Sequence, residues 1–146
     1  MKIVAMIPAR LGSKRIIKKN LRLLNGKPLI SYITESAKDS NAFDEIYINS
    51  ESEIFKEIAD HHGVKFYKRS ASLATDFSNN EDFLTDFLES VECDYLIQLL
   101  PTSPLVTSNE IKSFKNHLVT GNCDTLVSVN NHQIACIYKG TPINFS

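Results

Sequence analysis

Arg10, Lys14, Arg15, Lys18 and Lys19 crowd into one segment, Ile7-Pro8-Ala9-Arg10-Leu11-Gly12-Ser13-Lys14-Arg15 running on to Lys18-Lys19-Asn20, with no acidic residue among them. Such a loop suits the chemistry of phosphate oxygens. Backbone N–H groups over residues 11–13 can approach an anion because Gly12 carries no side chain, and Ser13 adds a hydroxyl. Arg10 can hold two oxygens at once, while Lys14 and Lys19 act as point charges. The first 34 residues contain eight Lys/Arg and no Asp/Glu; the rest of the chain holds the other eight and all 17 Asp/Glu. The formal net charge of −1 therefore conceals a cationic pole. A solvated basic loop would have the same spacing, and the pattern is neither a Walker A loop nor the dinucleotide GxGxxG. No aromatic residue interleaves with these bases, which argues against a nucleic-acid surface.

Two more segments carry directed polar groups. Arg69-Ser70-Ala71-Ser72-Leu73-Ala74-Thr75-Asp76-Phe77-Ser78-Asn79-Asn80 offers hydroxyls, amides and one guanidinium, suited to a base edge or a sugar hydroxyl. The plain alternative is a polar loop with a helix cap at Ser78 or Asn79. Leu100-Pro101-Thr102-Ser103-Pro104-Leu105 sets two hydroxyls between prolines that fix the backbone; the plain alternative is a turn.

The elements that must position these segments alternate. Residues 2–7 read as a strand. Residues 28–38 read as a helix, with Pro28 in its first turn and Leu29, Ile30, Ile33 and Ala37 on one face. Residues 45–49 form a second strand. Ser50 and Glu53 have capping-box spacing ahead of a helix bearing Ile54, Phe55, Ile58 and Ala59, stopped by Gly63. Residues 64–67 are a third strand, and Phe83, Leu84, Phe87, Leu88 and Val91 mark a helix. Residues 95–100 read as a central strand buried on both faces. Thr107 and Glu110 cap a helix with Ile111, Phe114 and Leu118. Residues 125–129 and 134–138 are predicted as a fifth and a sixth strand. The alternation implies an α/β fold, a mostly parallel sheet with helices on both faces in three α/β/α layers. Ligands of such sheets bind at the carboxyl ends of strands beside a switch in strand order. Residues 9–20, 68–80 and 101–107 all leave carboxyl ends, so they should converge on one crevice.

The bulk properties fit this. A chain of 146 residues, 42% hydrophobic and 23% charged, suits one globular domain. No apolar run is long enough for a membrane span, and the N-terminal run has the wrong length and flanks for a secretory signal. A cytoplasmic protein is the expectation. Cys93, Cys123 and Cys136 lack metal-site spacing and are expected to be reduced and mostly buried. His61 and His62 fall near a helix end, where cations are favoured. No set of His, Cys and acids has ligand spacing, so no metal site is assigned to these residues.

In this order the three segments resemble the CMP-sialate synthetases, or acylneuraminate cytidylyltransferases. The carriers are residues 7–16 with Lys19-Asn20 and Asn25-Gly26-Lys27-Pro28-Leu29-Ile30, then Arg69 through Asp76, then Pro101-Thr102-Ser103-Pro104-Leu105. Asp124 to Val129 with His132-Gln133 resembles the approach to that family's dimerisation extension. The resemblance implies a Rossmann-like nucleotidyltransferase fold of the glycosyltransferase-A-like type. It divides the chain into a CTP-binding core, 1–130, and the beginning of a truncated extension, 131–146. The implied reaction is attack of a hydroxyl of a 2-keto-3-deoxy, nonulosonic sugar acid on the α-phosphorus of CTP, with loss of pyrophosphate. Arg10, Lys14 and Lys19 would meet the developing charge. Arg10, Gly12, Ser13, Lys14, Asn20, Arg69, Ser78 and Asn80 would hold the nucleotide, and Gln98, Thr102 and Ser103 the sugar acid. Leu100 stands where the family usually has Gln, with Gln98 two residues before it, and Ile16-Ile17 stands where many members have Ile-Pro. Mg²⁺ is the implied metal, its aspartate ligands expected beyond residue 146. A homodimer is implied through the extension. A non-catalytic CTP-binding module of such an enzyme is the alternative, and activation of another acid sugar such as Kdo a further one.

Overall fold

Ile3–Pro8 forms β1, and Ile3, Val4, Ala5, Met6 and Ile7 are all buried, as a strand covered on both faces requires. In this computed structural model the described residues are 1–13, 15–75, 78–121, 123–129 and 136–142. After β1 come a 3-10 turn at Lys19–Leu21, the short strands β2 (Leu23–Leu24) and β3 (Lys27–Pro28), and helix α1 (Leu29–Asp39). β4 (Glu45–Ser50), α2 (Ile54–His62) and β5 (Lys65–Lys68) follow, then a 3-10 turn at Ala71–Ala74 and α3 (Asn80–Ser90). β6 (Tyr95–Gln98), α4 (Ser108–Thr120), β7 (Ile137–Tyr138) and β8 (Thr141–Pro142) complete the order.

The main sheet has the order β5-β4-β1-β6, with every pairing parallel. Ala5 lies opposite Ile46 on one side and Ile97 on the other, so β1 is the central strand. Strand alternation splits the core into two faces. Ile7 and Ile48 pack with Ile30, Ile33 and Ala37 of α1, Phe55 and Ala59 of α2, and Ile111 of α4. Val4 and Met6 face the other way, onto Phe87 and Val91. Phe87 meets the rings of Tyr47 and Tyr67 edge-on at 5.3 and 4.9 Å. The chain thus forms the expected three-layer α/β/α sandwich. From β1 it winds outward through β4 and β5, then crosses to the opposite side of β1 to make β6. The strand order therefore switches between β1 and β6, and a crevice opens at their carboxyl ends.

The helix ends follow local chemistry. Asn79 and Asp82 form a full capping box at α3, and Thr107 with Glu110 forms another at α4. Gly63 ends α2 at φ +63°, the left-handed conformation that costs glycine least. Pro28 lies just before α1, paired with Leu23.

Several expectations are corrected. Ser50 and Glu53 make no capping box: Ser50 ends β4 fully buried, its hydroxyl accepting from the Ser52 amide, and Glu53 pairs with Lys68 at 2.9 Å. Residues 125–129 are not a strand: among the described residues none pairs with them in a ladder, and Val127 and Val129 are exposed. Of residues 134–138, Ile137–Tyr138 pairs antiparallel with Thr141–Pro142 in a separate hairpin, and Ile134 lies outside the described residues. A hairpin absent from the expected elements joins β2 to β3 through Asn25 and Gly26, both at positive φ. The cysteines are not mostly buried: Cys123 and Cys136 are exposed and Cys93 is half-buried. His61 and His62 close α2 as expected, but His62 is buried against Ser31 Oγ at 3.0 Å, and burial lowers its pKa. Residues 130–135, where the expected domain boundary falls, are outside the described residues.

Candidate functional site

The carboxyl end of β1 runs straight into the cationic segment, and neighbouring strand ends hold that segment in place. The Ala9 amide donates to Asn49 O of β4 at 2.9 Å, prolonging the β1–β4 ladder by one rung. The Leu11 amide donates to Glu51 Oε1 at 2.8 Å. Asn20 is buried and its side-chain amide reaches back to Arg10 O at 3.4 Å, closing the loop on itself. Arg10 crosses to the second segment, Nη1 donating to Thr75 O at 3.1 Å.

Together these segments enclose a crevice of about 650 Å³ at the β1/β6 switch. Arg10, Ser13, Lys19 and Asn20 line it from the first segment, Arg69 from the second, and Pro101 and Thr102 from the third. The convergence expected of three sequence-distant segments is therefore present. Arg15 and Ile16 also line it, and Phe83 and Leu100 supply apolar wall.

Arg69 is the unusual member. It follows β5, is 4% exposed, and donates from Nη2 to Ala9 O at 2.9 Å. Its guanidinium lies over the Phe83 ring at 5.0 Å. Nε and Nη1 are buried and have no hydrogen-bond partner among the described residues. Burial pulls its pKa below the ordinary arginine value and Glu51, 3.6 Å away, opposes the shift. An arginine stays protonated even when buried, so a cation with unspent donors sits buried beside the crevice that Arg69 helps to line. Such donors are costly when unmatched, and an anionic or carbonyl-bearing ligand would relieve them.

Other expected residues stand differently. Lys14 and Asp76 lie outside the described residues. Gly12 is exposed beside the crevice, and a Cβ added there would meet nothing within 4 Å. Ser78 Oγ donates to Ser72 O at 2.7 Å and so is tied to the Ala71–Ala74 turn. Asn80 and Gln98 exchange both amide hydrogen bonds, at 3.2 and 2.8 Å. Ser103 lines a different groove, against Phe114 and Ile111 of α4. Sequence reasoning missed Glu51 and Phe83. Glu51 follows a strand end adjacent to β1, which was the available signal; Phe83 read only as a core position of its helix.

Among the described residues no three His, Cys, Asp or Glu side chains cluster so as to hold a metal ion. Glu51 already serves Leu11 and Arg69. No Mg²⁺ ligand set is therefore assigned to the described residues.

Known proteins share this architecture. A family model described as cytidylyltransferase matches residues 4–135. The N-acylneuraminate cytidylyltransferase of Streptococcus agalactiae serotype V is 37% identical over 131 residues, 88% of this chain and 32% of the relative. The CMP-N,N'-diacetyllegionaminic acid synthase of Legionella pneumophila is 38% identical over 135 residues, 88% of this chain and 58% of the relative. The pseudaminic acid cytidylyltransferase of Campylobacter jejuni (strain 81-176) is 36% identical over 118 residues, 77% of this chain and 51% of the relative. The chain thus spans between about a third and somewhat over half of these relatives' lengths. A solved CMP:2-keto-3-deoxy-manno-octonic acid synthetase complexed with CTP superposes with a TM-score of 0.73 at 24% identity, over 83% of this chain and 48% of that one; this likeness concerns the fold.

Proposed function

The chain belongs to the cytidylyltransferase family, and from that premise we propose that it serves the transfer of CMP from CTP to a nonulosonic sugar acid. A hydroxyl of the acid sugar attacks the α-phosphorus and releases its proton to solvent as the new phosphorus–oxygen bond forms. The bond from that phosphorus to the bridging oxygen breaks, and pyrophosphate departs with the electron pair. The supporting observation is the meeting of Arg10, Lys19, Asn20 and Arg69 in one crevice at the strand-order switch. The relatives are named for N-acylneuraminate, diacetyllegionaminic and pseudaminic acids, which favours the nonulosonic class for the acceptor.

In this reading Arg10, Lys14 and Lys19 meet the charge that grows on the phosphoryl oxygens and on pyrophosphate. Loss of one such donor costs on the order of 10²–10³ in rate. Gly12 and Ser13 let the backbone approach the phosphates; Asn20 and Arg69 hold the nucleoside side, and Ser78 and Asn80 join them once released from Ser72 and Gln98. Thr102 stands in the crevice wall, where it can contact the acceptor. Gln98 and Ser103 would have to turn from their present partners to join it. A homodimer through the segment beyond residue 130 belongs to the same proposal; Ile137, on the described part of that segment, is exposed.

The test is pyrophosphate release by the chain with CTP and a panel of sialic, legionaminic and pseudaminic acids. Release with at least one acid supports the reading. CTP binding with no release from any acid would reduce the chain to a nucleotide-binding module. Charge reversal, Arg10→Glu, should abolish CTP binding in a protein that still melts cooperatively.

A further inference from the structure

The crevice has a carboxylate behind it that none of the expected site residues includes. Glu51 follows β4, and its side chain is 15% exposed. Oε1 accepts from the Leu11 amide at 2.8 Å, and among the described residues no backbone carbonyl competes for that N–H. Oε2 lies 3.6 Å from Arg69 Nη2 and accepts from Ser50 Oγ at 3.3 Å. The same Arg69 Nη2 donates to Ala9 O at 2.9 Å. Ala9, Leu11, Glu51 and Arg69 therefore form one circuit that joins the end of β1, the end of β4 and the end of β5.

We propose that Glu51 is a positioning residue for the anion-handling loop: its carboxylate fixes the backbone at Leu11 and orients the Arg69 guanidinium, so that the loop and the buried cation present their donors to one ligand. The inference rests on the proposed use of the crevice for a nucleotide. Three physical arguments carry it. A loop holding Arg10, Lys14, Arg15, Lys18 and Lys19 repels itself, so it needs an internal counter-charge to keep one shape. A carboxylate that accepts from a backbone N–H and faces a guanidinium supplies charge and direction together. Finally, a donor array held in place before the ligand arrives loses less freedom on binding than one that must be ordered.

Glu51→Gln, Glu51→Asp and Glu51→Ala separate the parts. Glutamine keeps an acceptor for Leu11 and loses the charge beside Arg69. Aspartate keeps the charge on a shorter arm that cannot reach both partners. Alanine loses both. Two readouts are taken on full chain shown by melting to be folded at the assay temperature: calorimetric affinity for CTP, and amide hydrogen exchange at Leu11 without ligand. The expected result is CTP affinity falling about tenfold in Glu51→Gln and Glu51→Asp and about a hundredfold in Glu51→Ala. Leu11 exchange should quicken at least tenfold in Glu51→Ala and stay near wild type in Glu51→Gln. A purely structural carboxylate would lower the melting temperature and leave the affinity of the folded protein alone; unchanged CTP affinity in folded Glu51→Ala overturns the proposal. If Glu51→Ala does not fold, unchanged CTP affinity in both Glu51→Gln and Glu51→Asp overturns it instead. Wild-type protein that binds no CTP refutes the functional reading, and unaltered Leu11 exchange across the series then refutes the positioning role by itself.

Discussion

Replacing Arg69 by methionine separates a ligand-directed cation from a structural one. Methionine keeps similar bulk against Phe83 and removes the charge and every donor. Two stability effects oppose each other. The Ala9 carbonyl loses its 2.9 Å partner in a buried setting, and an unpaired buried acceptor costs about 1–3 kcal/mol. Against this, Nε and Nη1 no longer sit buried without partners, but Glu51 loses the guanidinium 3.6 Å from its carboxylate, and breaking a buried pair by removing one partner costs about 3–5 kcal/mol. The net change should be a loss of about 3–5 kcal/mol, or roughly 6–20 °C in Tm for a chain of this length. Binding by the protein that remains folded should suffer separately. If the crevice takes the nucleotide, hydrogen bonds from the charged guanidinium contribute about 1.5–3 kcal/mol, so CTP affinity should drop roughly 10- to 150-fold. Calorimetric titration of CTP, paired with a melting curve, reads both numbers. A folded Arg69→Met protein that binds CTP within threefold of wild type would refute the assignment of the free donors to a ligand.

Other outcomes follow from packing, caps and titration. Phe87→Ala removes a fully buried ring from between Tyr47 and Tyr67 and should cost about 3–5 kcal/mol, seen as a lower midpoint in urea unfolding with little change in slope. Asn79→Ala breaks the α3 capping box and should cost about 1 kcal/mol by the same assay; an unchanged midpoint would contradict the cap. His62 has a pKa pushed below its ordinary 6.5 by burial, so the unfolded chain binds the proton more readily. Its contribution is complete above about pH 6.5 and is lost as the pH falls through the lowered value. Melting temperature should therefore fall more steeply between pH 7.5 and 5.5 in wild type than in His62→Gln, and parallel curves would argue against a buried neutral imidazole.

Much of the scaffold was legible because its signals are local. The apolar run of β1, the helical spacing in α1 and α2, the stop at Gly63 and the box at Thr107 and Glu110 each act within a few residues. The convergence of residues 9–20, 68–80 and 101–107 followed from one rule about parallel sheets. What failed depended on partners. Residues 125–129 alternate like a strand, yet a strand needs a ladder beside it. Ser50 and Glu53 have the spacing of a cap, yet parallel pairing drew Ser50 into the sheet and Lys68 drew Glu53 sideways. Glu51 was invisible for the same reason: its partners, Leu11 and Arg69, lie 40 residues before it and 18 after it in a chain whose fold brings them together. Burial of His62 against Ser31 likewise depends on the packing of α2 on α1.

The most direct measurement is a crystal structure of this chain grown with CTP. The triphosphate should lie in the β1/β6 crevice, its oxygens within hydrogen-bond reach of the residue 12–13 amides, Arg10 and Lys19, with Arg69 donating to the same nucleotide and the Leu11 amide still on Glu51. A nucleotide lodged elsewhere, or one in the crevice with Arg10 and Lys19 turned away from its phosphates, would contradict that placement.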